Sequence, residues 1–190
     1  MVIVIEGGGS TRAEQARLRE GFSALLGKVS APGKRPAIRC AGGRDQAFKD
    51  FEHTLRDDPG CLLLVDSEGP VTASTRWEHV RLRDKWEKPT TATEDQLHFM
   101  VEAMESWLAA DPESLASFYG AEFKPAKLPK QKNLEEAPKV DVLRALESAT
   151  NDVKTKGTYT KSHGFQLIGL VDPSKVGARC PHAAMFFAQL

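Results

Sequence analysis

The stretch "VIVIEGGGST", residues 2–11, decides how the chain is read. Four β-branched residues in succession are too few for a helix and too uniformly apolar for a half-exposed strand. They predict a short strand buried on both faces. Glu6 stands at the carboxyl end of that strand, and Gly7, Gly8 and Gly9 follow it directly. Ser10 or Thr11 then offers a cap for a helix from Arg12 to Gly27, on which Leu18, Phe22, Leu25 and Leu26 recur at helical spacing.

The same layout returns downstream. "AIRCA" (37–41) reads as a second strand, and "GGRDQAFKDFEHTL" follows it with glycines and a helix for which Asp45 is a candidate cap. "CLLLV" (61–65) is a third, buried strand that runs straight into "DSEGP". Strands alternating with helices predict βαβ units, hence an α/β fold with a mainly parallel sheet flanked by helices. Residues 75–96 predict a short helix and then a loop. A further strand begins at 97, a helix follows from near Met104, and another starts at Pro112 with Asp111 as its cap. Residues 121–139 contain three prolines and read as an extended connection; helices are predicted over 140–151, 163–171 and 173–190. The expected organisation is an α/β core over 1–123, with 124–190 supplying a connection and C-terminal helices packed on the same domain.

Composition bounds the reading. With 190 residues, 41% of them hydrophobic, the chain is long enough to bury a core without disulfides or metals as staples. Cys40, Cys61 and Cys180 are odd in number and far apart, which argues against a disulfide framework or a paired-cysteine zinc site and fits a reducing cytoplasm. No run reaches the length of a membrane span and the N-terminus lacks a signal-peptide layout, so a cytoplasmic protein without a membrane partner is expected. The formal net charge of zero hides an asymmetry: residues 124–190 carry 11 Lys+Arg against 6 Asp+Glu, leaving 15 against 20 for residues 1–123. An acidic front suits a metal site and a basic tail suits a polyanion; ordinary solvated surface is the competing explanation.

In an open parallel sheet, ligands sit beyond the carboxyl ends of the strands. Glu6 lies there on the first strand, and Asp66 and Glu68 lie there on the third. If the chain stays extended through Ser67, Asp66 and Glu68 point the same way and converge on one ion, with Glu6 facing them. Three adjacent carboxylates repel one another unless a cation lies between them, and hard oxygen ligands are what Mg²⁺ or Mn²⁺ takes. Gly7, Gly8 and Gly9 would let backbone N–H groups approach a phosphate at the start of the next helix. The alternative is a tight strand-to-helix turn with Glu6 in solvent. "GGGST" lacks the lysine of a P-loop and the spacing is not GxGxxG, which disfavours triphosphate hydrolysis and dinucleotide binding.

"IEGGGST" together with "LLLVDSEGP" resembles a TOPRIM domain, the metal-binding module of topoisomerases, primases and the overcoming-lysogenization-defect nucleases. More closely, the chain resembles a bacterial TOPRIM-like family labelled a domain of unknown function, through "VDSEGPV", "MVEAMESWLAADPE", "LPKQKNLEEAPKVDVL" and "KGTYTKSHGFQLI". The resemblance implies a Rossmann-like sheet, with Glu6 as general acid/base and Asp66 as the first acid of the metal motif. Glu68 stands where the superfamily usually has a second aspartate, and its longer side chain would shift the ion. Related nucleases use additional acids, which makes Glu105 a further candidate ligand; a capping or salt-bridged glutamate is the bland alternative. Relatives are often encoded beside ATPases of the ABC or AAA type, which implies a two-component defence or DNA-maintenance system.

"KGTYTKSHGF" (156–165) gathers Lys156, Tyr159, Lys161 and His163 before a helix, a combination suited to phosphate contacts and to stacking of Tyr159 on a base, with His163 alternatively a helix cap. Lys161 would neutralise charge on a reacting phosphate, and Arg44, at the end of the second strand, would clamp a phosphate in a bidentate way. Trp77 and Trp86 read as half-buried packing residues rather than a base-stacking platform, and His182 near Cys180 as structural. The expected function is Mg²⁺-dependent hydrolysis of a DNA or RNA phosphodiester, with Glu6, Asp66, Glu68 and Glu105 around the metal and Glu6 and Lys161 acting on the phosphate. A non-catalytic regulatory subunit of an ATPase partner is the alternative, and a phosphatase or phosphotransferase using the same acids is a third.

Overall fold

Alternate residues of the first strand, β1 (Val2–Ile5), supply two separate cores. The computed structural model describes residues 1–190. In it β1 pairs in parallel with β2 (Ala37–Cys40) on one side and β3 (Leu62–Asp66) on the other, and β4 (Leu97–Met100) adds parallel to β3. The strand order is β2-β1-β3-β4, so the predicted α/β architecture with a parallel sheet is the observed one. Ile3 and Ile5 join Leu62, Leu64 and Met100 on one face, and Val4 joins Leu63, Val65, Leu97 and Phe99 on the other. Burying each such side chain fully contributes about 1.5–3 kcal/mol, which is why these short strands need no long ladders to hold. The edge strand β2 alternates between exposed and half-buried residues.

Helices cover both faces. α1 (Arg12–Gly27) lies on the Ile3 face, while α2 (Arg44–Asp57) and α3 (Arg76–Asp84) supply Phe51, Leu55, Trp77 and Val80 to the Val4 face. Thr11 caps α1 and Glu14 completes a capping box. At α2 the cap is Gly43 rather than Asp45, whose carboxylate instead accepts from the Trp86 indole N–H at 3.3 Å. Trp77 and Trp86 are packing residues, as expected, but both are buried rather than half-buried, Trp86 stacking on Phe48.

The Ile3 face continues through α4 (Met104–Ala109), α5 (Pro112–Tyr119), α6 (Lys139–Thr150) and α7 (Lys161–Leu167). Asp111 caps α5 through Ser114, as its position before Pro112 predicts. The predicted connection holds two single 3-10 turns, Pro125–Lys127 and Leu134–Glu136. The single helix predicted over 173–190 is two, α8 (Pro173–Arg179) and α9 (Pro181–Phe187). Pro181 has no N–H to give the preceding turn and disfavours helical geometry at Cys180, so the chain bends there. Val142, Leu146, Phe165, Ile168 and Phe186 share one apolar cluster with Ile3, Leu18 and Trp107, so residues after 124 build the same core as those before. No helix is long and apolar enough to cross a membrane.

Candidate functional site

The strand order turns back at β1: the first crossover leads to β2 on one side, the next to β3 on the other. At such a switch point two connections leave the sheet in opposite directions and open a crevice beyond the carboxyl ends of the strands. A cavity of about 280 Å³ lies there. Its polar lining comes from Glu6, Gly7, Gly8, Gly9, Glu14, Gly42, Asp66, Glu68, Glu105, Lys161 and Ser162, and Leu18, Met100, Met104 and Phe165 supply its apolar part. The fold thus gathers Glu6, the three glycines, Asp66, Glu68, Glu105 and Lys161 around one space.

Each acid is held by a specific local device. Glu6 accepts from the Arg44 guanidinium at 2.8 Å and from the Asp66 backbone N–H at 3.2 Å, both on Oε2. Burial pushes its carboxyl above the ordinary range, against the opposing pull of Arg44. Asp66 ends β3 and accepts from the Met104 N–H at 3.0 Å, which ties it to the first turn of α4. Burial, reinforced by the charges of Glu6 and Glu105, pushes Asp66 well above its usual value. Glu68 does not continue the strand. Its φ of 60° is left-handed, and the turn is fixed by the Glu68 N–H on the Glu102 carbonyl and the Ser67 hydroxyl on the Gly69 carbonyl. Asp66 and Glu68 therefore reach the same cavity through a turn, not through the extended geometry that period-two alternation predicts. A non-glycine residue in that region is uncommon and concentrates at functional sites.

Glu105 is buried in α4, where its Oε1 accepts from the Tyr159 hydroxyl at 3.1 Å. Its neighbours Ser106 and Trp107 are equally buried, so it lies inside rather than on a solvated helix face. Gly7, Gly8 and Gly9 all have positive φ, and Gly7 exchanges two backbone hydrogen bonds with Gly42. The start of α1 already has an anion beside it, because Glu14 accepts from the Thr11 N–H and hydroxyl and lies against Gly9.

Arg44 stands behind the acids rather than in the cavity lining. It forks onto Asp84 at 2.9 and 2.8 Å, donates to Glu6 and to the Asp66 carbonyl, and lies 4.9 Å over the Trp86 ring. Four hydrogen bonds to protein groups hold the guanidinium in place, so its role here is to orient Glu6. Lys156 lies over the Phe118 ring at 4.2 Å and His163 meets the Tyr119 hydroxyl through Nδ1 at 3.0 Å; neither lines the cavity. The cap of α7 is Thr160, not His163. His182 pairs with the buried Glu135, a structural contact away from Cys180 chemistry.

Two residues from the C-terminal third complete the site, and the first of them lies outside the sequence reading. Lys139, at the start of α6, donates to Glu68 at 2.7 Å and lies 3.8 Å from Asp66. Tyr159, expected to offer its ring to a base, is instead buried and holds Glu105 through its hydroxyl. Both come from beyond residue 124, and no spacing rule joins them to acids so far away in sequence. The capping pattern Thr-x-x-Glu does flag Glu14 as a first-turn carboxylate, and that signal was available.

The donor set suits a hard divalent cation. Glu6 Oε1, Glu68 Oε1 and Glu105 Oε2 have no hydrogen-bond partner, and Asp66 Oδ2 faces only Lys139 at 3.8 Å. As they stand, no three His, Cys, Asp or Glu side chains are gathered tightly enough to hold an ion. The carboxylates share a cavity, while Arg44 holds one oxygen of Glu6 and Lys139 faces one oxygen each of Glu68 and Asp66.

A family model described as a domain of unknown function, DUF4276, matches residues 5–190, and the chain belongs to that family. No curated protein and no solved structure matches it.

Proposed function

We propose that this family member is a Mg²⁺- or Mn²⁺-dependent nuclease of the TOPRIM type, hydrolysing a DNA or RNA phosphodiester at the cavity between β1 and β3. One observation carries the reading: five carboxylates (Glu6, Glu14, Asp66, Glu68 and Glu105) line that cavity against a single basic lining residue, Lys161. Such a space repels a bare phosphate and accepts one that arrives with cations. Asp66, Glu68 and Glu105 would hold the metal, with Glu6 at its edge. When bound, the ion supplies charge neutralisation at the phosphoryl oxygens and an acidified water.

The chain's own residues would do the rest. Glu6, raised by burial and steered by Arg44, is suited to take a proton on its free Oε1. Lys161, without a carboxylate partner, is free to meet a phosphate oxygen at the rim. The positive-φ glycines let the chain turn tightly from β1 into α1, with Glu14 packed against Gly9 at the cavity wall. The resemblance to proteins encoded beside ABC- or AAA-type ATPases supports a role as effector of a two-component defence or DNA-maintenance system, in the cytoplasm.

A second reading, a TOPRIM-shaped regulatory subunit of an ATPase partner, draws on a different observation: Glu6, Asp66 and Glu68 already have cationic partners in Arg44 and Lys139. Titration calorimetry with Mg²⁺ and Mn²⁺ on wild type and Asp66→Asn separates the two. Binding lost in the variant, followed by metal-dependent cleavage of single- or double-stranded nucleic acid, supports the nuclease. Equal or absent binding in both proteins removes the metal and leaves the subunit.

A further inference from the structure

We propose that Lys139 is a tethered counter-ion for the acid cluster, competing with a divalent cation for Glu68 and Asp66 and leaving when the cation binds. The inference rests on the reading of this cavity as a metal site and adds how that site is kept closed without metal.

The two cations beside the acids are held in different ways. Arg44 is fixed by its fork onto Asp84, by the Asp66 carbonyl and by the Trp86 ring, so it stays whether or not Glu6 changes partner. The Lys139 ammonium has only carboxylate partners, Glu68 at 2.7 Å and Asp66 at 3.8 Å. Its side chain is 26% exposed and its neighbours Pro138 and Val140 are exposed, so a four-carbon stem has water to swing into.

The backbone of Lys139, by contrast, is anchored. Its N–H donates to Glu102 at 2.8 Å, doing for α6 what a capping side chain does elsewhere, since Pro138 offers none. A positive side chain on the first turn of a helix lies at the unfavourable end of the helix dipole. Lys139 therefore points where it does because of Glu68 and Asp66, and the helix itself gives it no reason to stay. Once the ammonium leaves, Glu68 Oε2 and Asp66 Oδ2 are released toward the cavity that both already line.

The test is calorimetric titration of Mn²⁺ into the full chain as wild type, Lys139→Gln, Lys139→Arg and Lys161→Gln, with thermal melts to confirm folding. Removing a competitor should tighten binding by about five- to tenfold in Lys139→Gln, the low end of ordinary coupling between sites. Lys139→Arg keeps the charge and should stay within about twofold of wild type. Lys161→Gln also removes one positive charge from the cavity, but not one paired with an acid. If Lys139→Gln binds no more tightly than wild type, or gains no more than Lys161→Gln, the counter-ion role is overturned while the metal site stands. If Lys139→Gln binds Mn²⁺ and wild type does not, the counter-ion role is upheld in its strongest form. If none of the four proteins binds Mn²⁺, both the inference and the reading beneath it fall.

Discussion

Gly21 of α1 and Phe165 of α7 meet backbone to backbone: a Cβ on Gly21 would stand 2.3 Å from the Phe165 carbonyl oxygen. Gly169 approaches the same spot, 3.2 Å from the Gly21 Cα when given a Cβ of its own. The glycine is there because two helices cross at that point, although alanine is the better helix former by about 1 kcal/mol. Gly21→Ala should therefore destabilise, by about 1–3 kcal/mol, because the obstructing atom is a carbonyl that no rotamer can move aside. The same push displaces α7, which carries Lys161 to the cavity. Thermal melts check it; a higher melting temperature in the variant would show that the helices part freely.

Arg44 is the hub beneath the acids, with its side chain and those of Glu6 and Asp84 all largely buried. Arg44→Met removes one cation and strands two carboxylates, which should cost about 3 kcal/mol. Arg44→Lys restores charge without the planar fork and should recover only part of that loss. Urea unfolding at neutral pH measures both; equal stabilities for the two variants would deny the fork its importance.

His98 is a buried histidine in β4, packed 5.0 Å from Phe186, with Nε2 facing the Asp95 carbonyl at 2.9 Å and Gln189 Oε1 at 3.0 Å. Two oxygen partners place the proton of the neutral ring on Nε2. Burial pushes the ring down to about 4. Unfolded, it titrates near 6.5, so the folded state binds its proton less readily. The stability it contributes is fully present above pH 6.5 and is lost as pH falls toward 4, up to about 3 kcal/mol. Asp66 and Glu6, whose carboxyls are raised, act in the opposite sense: they favour the fold at low pH and lose that contribution as pH rises through their folded values. The comparison to make is thus wild type against His98→Gln, by urea unfolding at pH 7 and pH 4.5. A smaller acid loss in the variant is expected, and parallel losses would contradict the assignment.

Legibility in the sequence followed the range of the interactions. β1 and β3 were readable because an unbroken apolar run of four or five residues between glycines and charges has few other uses, and their carboxyl-end acids came with them. Asp111 and Thr11 were readable because a cap bonds within three residues of itself. What stayed hidden was set by partners far along the chain. Asp45 resembles a cap locally, but the Trp86 indole claims it. Arg44 looked like a phosphate clamp, and only the fold reveals Asp84 filling its fork. Lys139 sits in a lysine-rich connection whose composition says exposed and generic, while the fold sets it against Glu68 across 71 residues.

That separation has a consequence for synthesis. A chain growing from its N-terminus makes Glu6, Asp66, Glu68 and Glu105 long before Lys139, Tyr159 and Lys161 exist. Until the last third has emerged, the nascent acids face one another with Arg44 as the one cation already made among those that hold them, and Glu105 lacks its tyrosine. The cavity is finished by the part of the protein translated last, so a ribosome-bound fragment ending before α6 would carry the acids but not the site.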